Sequence, residues 1–204
     1  MTPRTLAKIA GGGYLIIFFA AIFANFMALE ALTEKPLETI QQQAFLVRLG
    51  IMAFLLTVVF DVVVAWALKL LYKTHMLTDL STYFRLMHAA IMGVAVFTLP
   101  ATLTLENEAS ILDQINNFNT IWLIGLFFFG IHLLLLARII GKPRLIVLFL
   151  VLAGIMYMVD TSAHFLIPDY KRYSEIFLAL VAIPSIVGEM SLALWLLIKG
   201  GKST

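Results

Sequence analysis

Apolar runs about as long as a bilayer-spanning helix recur six times along this chain, separated by short stretches that carry most of its charge. A helix rising ~1.5 Å per residue needs ~20 residues to cross ~30 Å of hydrocarbon. The runs fall at roughly 9–29, 46–68, 86–105, 118–137, 145–167 and 176–198. Lipid offers no partner to backbone N–H and C=O groups, so each run must bond itself as a helix. The expected fold is therefore all-α: a polytopic bundle of six transmembrane helices forming a single six-span membrane domain over residues 1–204. The first run follows Arg4 and Lys8 in the manner of a signal peptide; it is read here as an uncleaved span.

Composition agrees with this. Hydrophobic residues make up 62% and charged residues 13%, against about a quarter charged in soluble proteins. The sequence has no cysteine, which excludes disulfides, thiolate zinc sites, iron–sulfur clusters and dithiol chemistry. The net charge is +2 with no long basic block, so nucleic acid is not an expected partner. Arg4, Lys8, Lys69, Lys73, Arg85, Arg138, Lys142, Arg144, Lys199 and Lys202 place ten of the fourteen basic residues on one side of the six-span threading. Basic segments resist translocation, so that side is expected to be the cytoplasm, with both termini cytoplasmic. Residues 30–45 and 106–117 are then external loops. Within the first, "EALTEKPLETIQQQ" has the composition of a short amphipathic helix at the membrane surface, with Pro36 near its start.

Ionisable groups within the apolar runs are the candidate functional residues, because a mid-bilayer charge costs roughly 2.5–3.5 kcal/mol and normally faces the bundle interior. Asp61, Asp160 and Glu189 are the acids of this kind. His132 and His88 belong to the cytoplasmic third, and His164 to the outer mouth. In the fifth run, Gly154, Tyr157, Asp160, Thr161 and His164 share one face at three- and four-residue steps, opposite an oily one. In the sixth, Ser185, Gly188 and Glu189 follow Pro184, which frees a carbonyl and kinks a helix. Ala21, Ala24, Asn25 and Ala28 make a small-residue packing seam in the first. Arg48 and Arg85 stand near opposite membrane faces as expected snorkelling anchors. Arg85 shares a face with His88 and can also present a cationic patch to a phosphate or a carboxylate. Trp66, Trp122 and Trp195 fall near span ends, where indoles anchor at the interface.

The segments "RLGIMAFLLTVVFDVVVAW", "FRLMHAAIMG", "FFFGIHLLLLA", "LVLAGIMYMVD", "FLIPDY" and "GEMSLALWLLIKG", in this order after "KIAGGGYLIIFF", resemble the bacterial membrane family called domain of unknown function 4386. The resemblance implies a compact six-span bundle in a bacterial cytoplasmic (inner) membrane and no particular activity. It also implies that Arg48, Asp61, Arg85, His132, Asp160 and Glu189 match recurrent polar points of the family, from which His88 and His164 depart.

The leading expectation is a binding protein that holds a small hydrophobic or amphipathic molecule, or a membrane lipid, in a polar cavity. Asp61, Arg85, His132, Asp160 and Glu189 are its ligand-binding or proton-relay residues, with Arg48, His88, Tyr157 and His164 secondary. Proton- or cation-coupled transport is the alternative, with the acids titrating at different depths and an inverted three-plus-three repeat pairing Arg48 and Asp61 with Arg144 and Asp160. An intramembrane enzyme is the third reading, either acid-dependent or built on a metal held by His88, His132, Asp61 and Glu189, with a bis-histidine haem as a variant. No two of these residues have the short helical spacing of a metal site, so none is expected to be a metal ligand. Cofactor and oligomeric state are left open.

Overall fold

The computed structural model describes residues 1–201, so Lys202, counted above among the basic residues, lies outside the described residues. Six helical segments are long and apolar enough to cross a membrane: Pro3–Glu34, Pro36–Leu71, Thr78–Thr102, Glu108–Ile140, Arg144–Leu166 and Tyr170–Ile198. In chain order the elements are α1 (Pro3–Phe23), a π-helical segment (Ala24–Leu29), α2 (Glu30–Glu34), α3 (Pro36–Leu71), α4 (Thr78–Thr102), α5 (Glu108–Ile140), α6 (Arg144–Leu166), a 3₁₀ turn (Tyr170–Tyr173) and α7 (Ser174–Ile198).

The helices extend beyond the apolar runs, and this corrects both expected loops. Residues 108–117 are the opening turns of α5. Asn107 caps them by accepting from the Ser110 N–H, and Ile111, Ile115 and Phe118 bury one face at three- and four-residue steps. The first expected loop is helical too. It does not form a lone surface helix but continues the first span and opens the second, which turns at Pro36 and kinks at Gln43. The Thr39 hydroxyl donates to the Ala31 carbonyl at 2.8 Å, and Leu32 packs with Val47, Ile111 and Ile115 beneath that corner.

Neighbours in the ring run antiparallel. Gly13 faces Val64, and Gly50 sits directly against Ala28, fixing α1 and the π segment on α3. Gly130 and Gly154 lie against each other's carbonyl oxygen, so α5 and α6 cross with backbones in contact, the close approach that small residues permit. At the chain ends, Gly11 packs on Ala193 and Leu197 and Gly200 on Ala7, returning α7 to α1. Arg4 closes this end by donating to the carbonyls of Leu196 (3.0 Å) and Leu197, in the last turn of α7, and of Gly200 (2.9 Å) just beyond it.

The apolar core is unevenly distributed. At the end holding both termini, Ala7, Ala10, Val64, Leu133, Leu150, Leu192 and Leu196, from α1, α3, α5, α6 and α7, form one continuous cluster. Toward the opposite end, the remaining clusters draw on the π segment and α2 to α5, with no residue of α6 or α7. Among the described residues no buried cluster joins the first half of α7 to the rest, and a cavity occupies that place.

Candidate functional site: a polar cluster at the closed end of a cavity

The cavity, about 600 Å³, follows the seam between the first span and α7. Tyr14, Ile17, Phe18, Ala21, Ile22, Asn25, Phe26 and Glu30 line it at three- and four-residue steps along one side. Leu178, Val181, Ala182, Ser185, Ile186, Glu189 and Met190 do the same along α7. From Tyr14 to Glu30 the helical rise is roughly 20–25 Å, so the space is elongated. Its mouth is marked by exposed Phe26, Glu30 and Leu178. The π segment shapes this wall. The Asn25 side chain donates to the Ala21 carbonyl at 2.8 Å, and the wider i→i+5 turn carries the lining in four-residue steps from Ile22 to Phe26 to Glu30.

Arg85 lies at the closed end and is only 1% exposed. It is therefore no snorkelling anchor. Because α4 begins at Thr78, two turns earlier than the apolar run, Arg85 sits well inside the helix rather than at its edge. Its Nη2 donates to Asp61 Oδ1 at 2.7 Å and its Nε to the Asp61 carbonyl at 3.3 Å. Its Nη1 donates to the Tyr14 hydroxyl at 2.6 Å and lies 3.2 Å from His132 Nε2. The guanidinium also stands 4.6 Å from the Tyr14 ring centroid and 5.3 Å from that of Phe129. A buried cation demands such complete pairing, and a planar fork satisfies several acceptors at once.

The histidines are oriented by their partners. His132 Nδ1 lies 2.9 Å from both the hydroxyl and the carbonyl oxygen of Ser81. A carbonyl can only accept, so Nδ1 carries the proton and Nε2 offers its lone pair to Arg85. His88 Nε2 is 3.6 Å from Asp61 Oδ2, while its buried Nδ1 has no partner among the described residues. Gly125 makes room for that ring, since a Cβ there would approach Nδ1 to 3.2 Å. Phe129 stacks near both imidazoles, at 4.8 Å from His88 and 5.6 Å from His132. Across the cavity the Tyr157 hydroxyl donates to Glu189 Oε1 at 3.4 Å.

Of the residues singled out from sequence, Asp61, Arg85, His132, His88, Tyr157 and Glu189 come together here. Asp160, His164 and Arg48 do not. Asp160 accepts a 2.5 Å hydrogen bond from the Tyr170 hydroxyl, and the His164 ring packs edge-on against the same tyrosine, 4.7 Å between centroids. Both serve the turn between α6 and α7. Thr161 bonds the Leu123 carbonyl at 2.9 Å, so this face of α6 contributes interhelical contacts rather than a continuous polar column. Arg48 is exposed on α3. Asp61 and Asp160 thus have unlike partners, and the inverted-repeat pairing has no counterpart in their contacts. Trp122, read as an interface anchor, instead lines the cavity and packs on Phe54 and Phe118.

Tyr14 is the residue that sequence reasoning passed over. Inside "GGGYLIIFF" it has the look of an ordinary aromatic; its four-residue spacing from Ala10 and Phe18, along a glycine-rich face, was the available signal. Ser81 was missed for a similar reason, lying outside the apolar run. Among the described residues no three His, Asp or Glu side chains are grouped to hold a metal ion. His132 has both ring nitrogens engaged by Ser81 and Arg85, which does not fit iron ligation between His88 and His132.

Six apolar, membrane-length helices in an all-α ring make this a multi-pass membrane protein by length and composition. Comparison with known sequences then places it: residues 9–200 match the family described as "Domain of unknown function (DUF4386)", and the chain belongs to that family. A protein of Archaeoglobus fulgidus described as "Uncharacterized protein" is 29% identical over 159 residues, covering 75% of this chain and 85% of that protein. No solved structure matches.

Proposed function

We propose that this chain is a multi-pass protein of a prokaryotic cytoplasmic membrane that binds a small amphipathic molecule in the cavity between α1 and α7. The observation that carries the reading is the division of the lining: aliphatic and aromatic side chains along its length, and Asp61, Arg85, His88 and Glu189 converging at one end. Ligand sites of ~300–1,000 Å³ have this make-up, apolar walls with a few placed polar groups. The ligand's polar end would meet the cluster, and its apolar part would lie along the α1–α7 seam. Asp160, His164 and Arg48 have no direct part. Transport draws less support, since Arg4 and the glycine contacts close the end of the seam beyond the cluster.

Native mass spectrometry of the purified protein tests this. Wild type is expected to carry a small-molecule adduct that Ala21→Trp combined with Ala182→Phe, which fill the cavity, abolishes while leaving a folded protein. Equal adducts on both proteins would overturn the proposal. The same reading puts both termini in the cytoplasm; their shared end of the bundle carries Arg4, Lys8, Lys69, Arg138 and Lys199, as the positive-inside tendency requires. A terminal reporter active only outside the cytoplasm should therefore stay silent at either end.

A further inference from the structure

We propose that the cavity is built for a lipophilic cation: an apolar molecule bearing a positively charged amine, quaternary ammonium or equivalent centre. This rests on the reading of the cavity as a ligand site and names the chemical class that it selects.

The charges on the lining point this way. Asp61, Glu189 and Glu30 supply three carboxyl groups against a single guanidinium, Arg85. That guanidinium is already held. Asp61, Tyr14 and His132 take four of its five N–H donors, which leaves little with which to grip an anionic headgroup. Glu189 is in the opposite condition. Among the described residues no Lys, Arg or His nitrogen lies within 4.0 Å of it, and its side-chain partner is the Tyr157 hydroxyl at 3.4 Å. A carboxyl group facing an apolar space without a countercharge either holds a proton or gives it up to pair with a ligand that brings a positive charge.

The walls fit the same class. Tyr14, Phe18, Phe26, Trp122, Phe129 and Tyr157 are aromatic, and ring faces attract cations, most strongly where water is excluded. Glu30, exposed at the mouth, places a carboxylate on the approach, where it favours entry of a cation over an anion. An anionic amphiphile would pass Glu30 and then meet Glu189 at the end where the guanidinium is already in use.

The test uses a pair of probes alike in size and opposite in charge, tetraphenylphosphonium and tetraphenylborate. Trp122 lines the cavity, so a Trp66→Phe, Trp195→Phe protein in neutral-detergent micelles carries one fluorescent reporter at the site. Tetraphenylphosphonium should change its emission saturably, and tetraphenylborate should bind at least tenfold more weakly after subtraction of micelle partitioning. Glu189→Gln should weaken tetraphenylphosphonium at least tenfold, and Glu30→Gln about twofold. Equal or tighter binding of tetraphenylborate, or undiminished cation binding by folded Glu189→Gln, would overturn the inference, as would a Trp122 signal that neither probe moves. The charge comparison needs only protein with glutamate at 189, so it stands even if Glu189→Gln fails to fold. An adduct retained in native mass spectrometry alongside loss of charge selectivity would reject the cation and keep the cavity as a binding site.

Discussion

Replacing Arg85 by methionine keeps a long unbranched side chain and deletes the charge that neutralises Asp61. The two groups are 1% and 6% exposed at the side chain, with 2.7 Å between them. Removing one member of such a pair leaves an uncompensated carboxylate in a nearly dry site, which costs about 3–5 kcal/mol. The Tyr14 hydroxyl and His132 Nε2 lose their common partner in the same step. Unfolding by sodium dodecyl sulfate in mixed micelles, followed by far-ultraviolet circular dichroism, should therefore show Arg85→Met less stable than wild type by at least ~3 kcal/mol. Asp61→Asn added to Arg85→Met removes the orphaned charge and should recover at least ~1 kcal/mol, a non-additivity expected only of groups in contact. A loss below ~1 kcal/mol for Arg85→Met, the range of exposed ion pairs, would refute the reasoning, because it would mean that water already screens the pair.

Two further outcomes follow from packing. Gly130→Ala and Gly154→Ala would each drive a Cβ to within 2.6 Å and 2.7 Å of a facing carbonyl oxygen, so each should cost ~1–3 kcal/mol in the same unfolding assay. Gly12→Ala and Gly93→Ala meet nothing within 4 Å and should be neutral or slightly stabilising. Arg4→Gln should raise amide hydrogen exchange in the last turn of α7 and in the first turn of α1, since three carbonyls there lose their shared donor, while exchange in α4 and α5 stays unchanged.

What local sequence determined is the threading. Six runs of sufficient apolar length must each become a helix wherever water is absent, because the backbone can bond only to itself, and that argument uses no contact between runs. The same local logic marked Asp61, His132 and Glu189 as interior residues, since a charge within an apolar run faces inward or is paired. Helix ends were less legible. Residues 78–85 and 108–117 are too polar to be counted as membrane runs, yet they are helical, and it is this extension that carries Arg85 from the expected interface into the core.

Only tertiary structure decided which interior groups meet. Tyr14, Asp61, Arg85 and His132 come from α1, α3, α4 and α5, and their contacts span separations of 24, 47 and 71 residues, so they depend on the rotation and crossing of helices packed through glycines. Asp61 and Asp160 look alike in sequence, each an acid late in an apolar run. The difference between them is the neighbour that packing supplied, a buried guanidinium in one case and the hydroxyl of Tyr170 in the other. The cavity is likewise a property of assembly: the first span and α7 are both apolar enough to cross a membrane, and they part where, among the described residues, no buried cluster draws the first half of α7 against its neighbours.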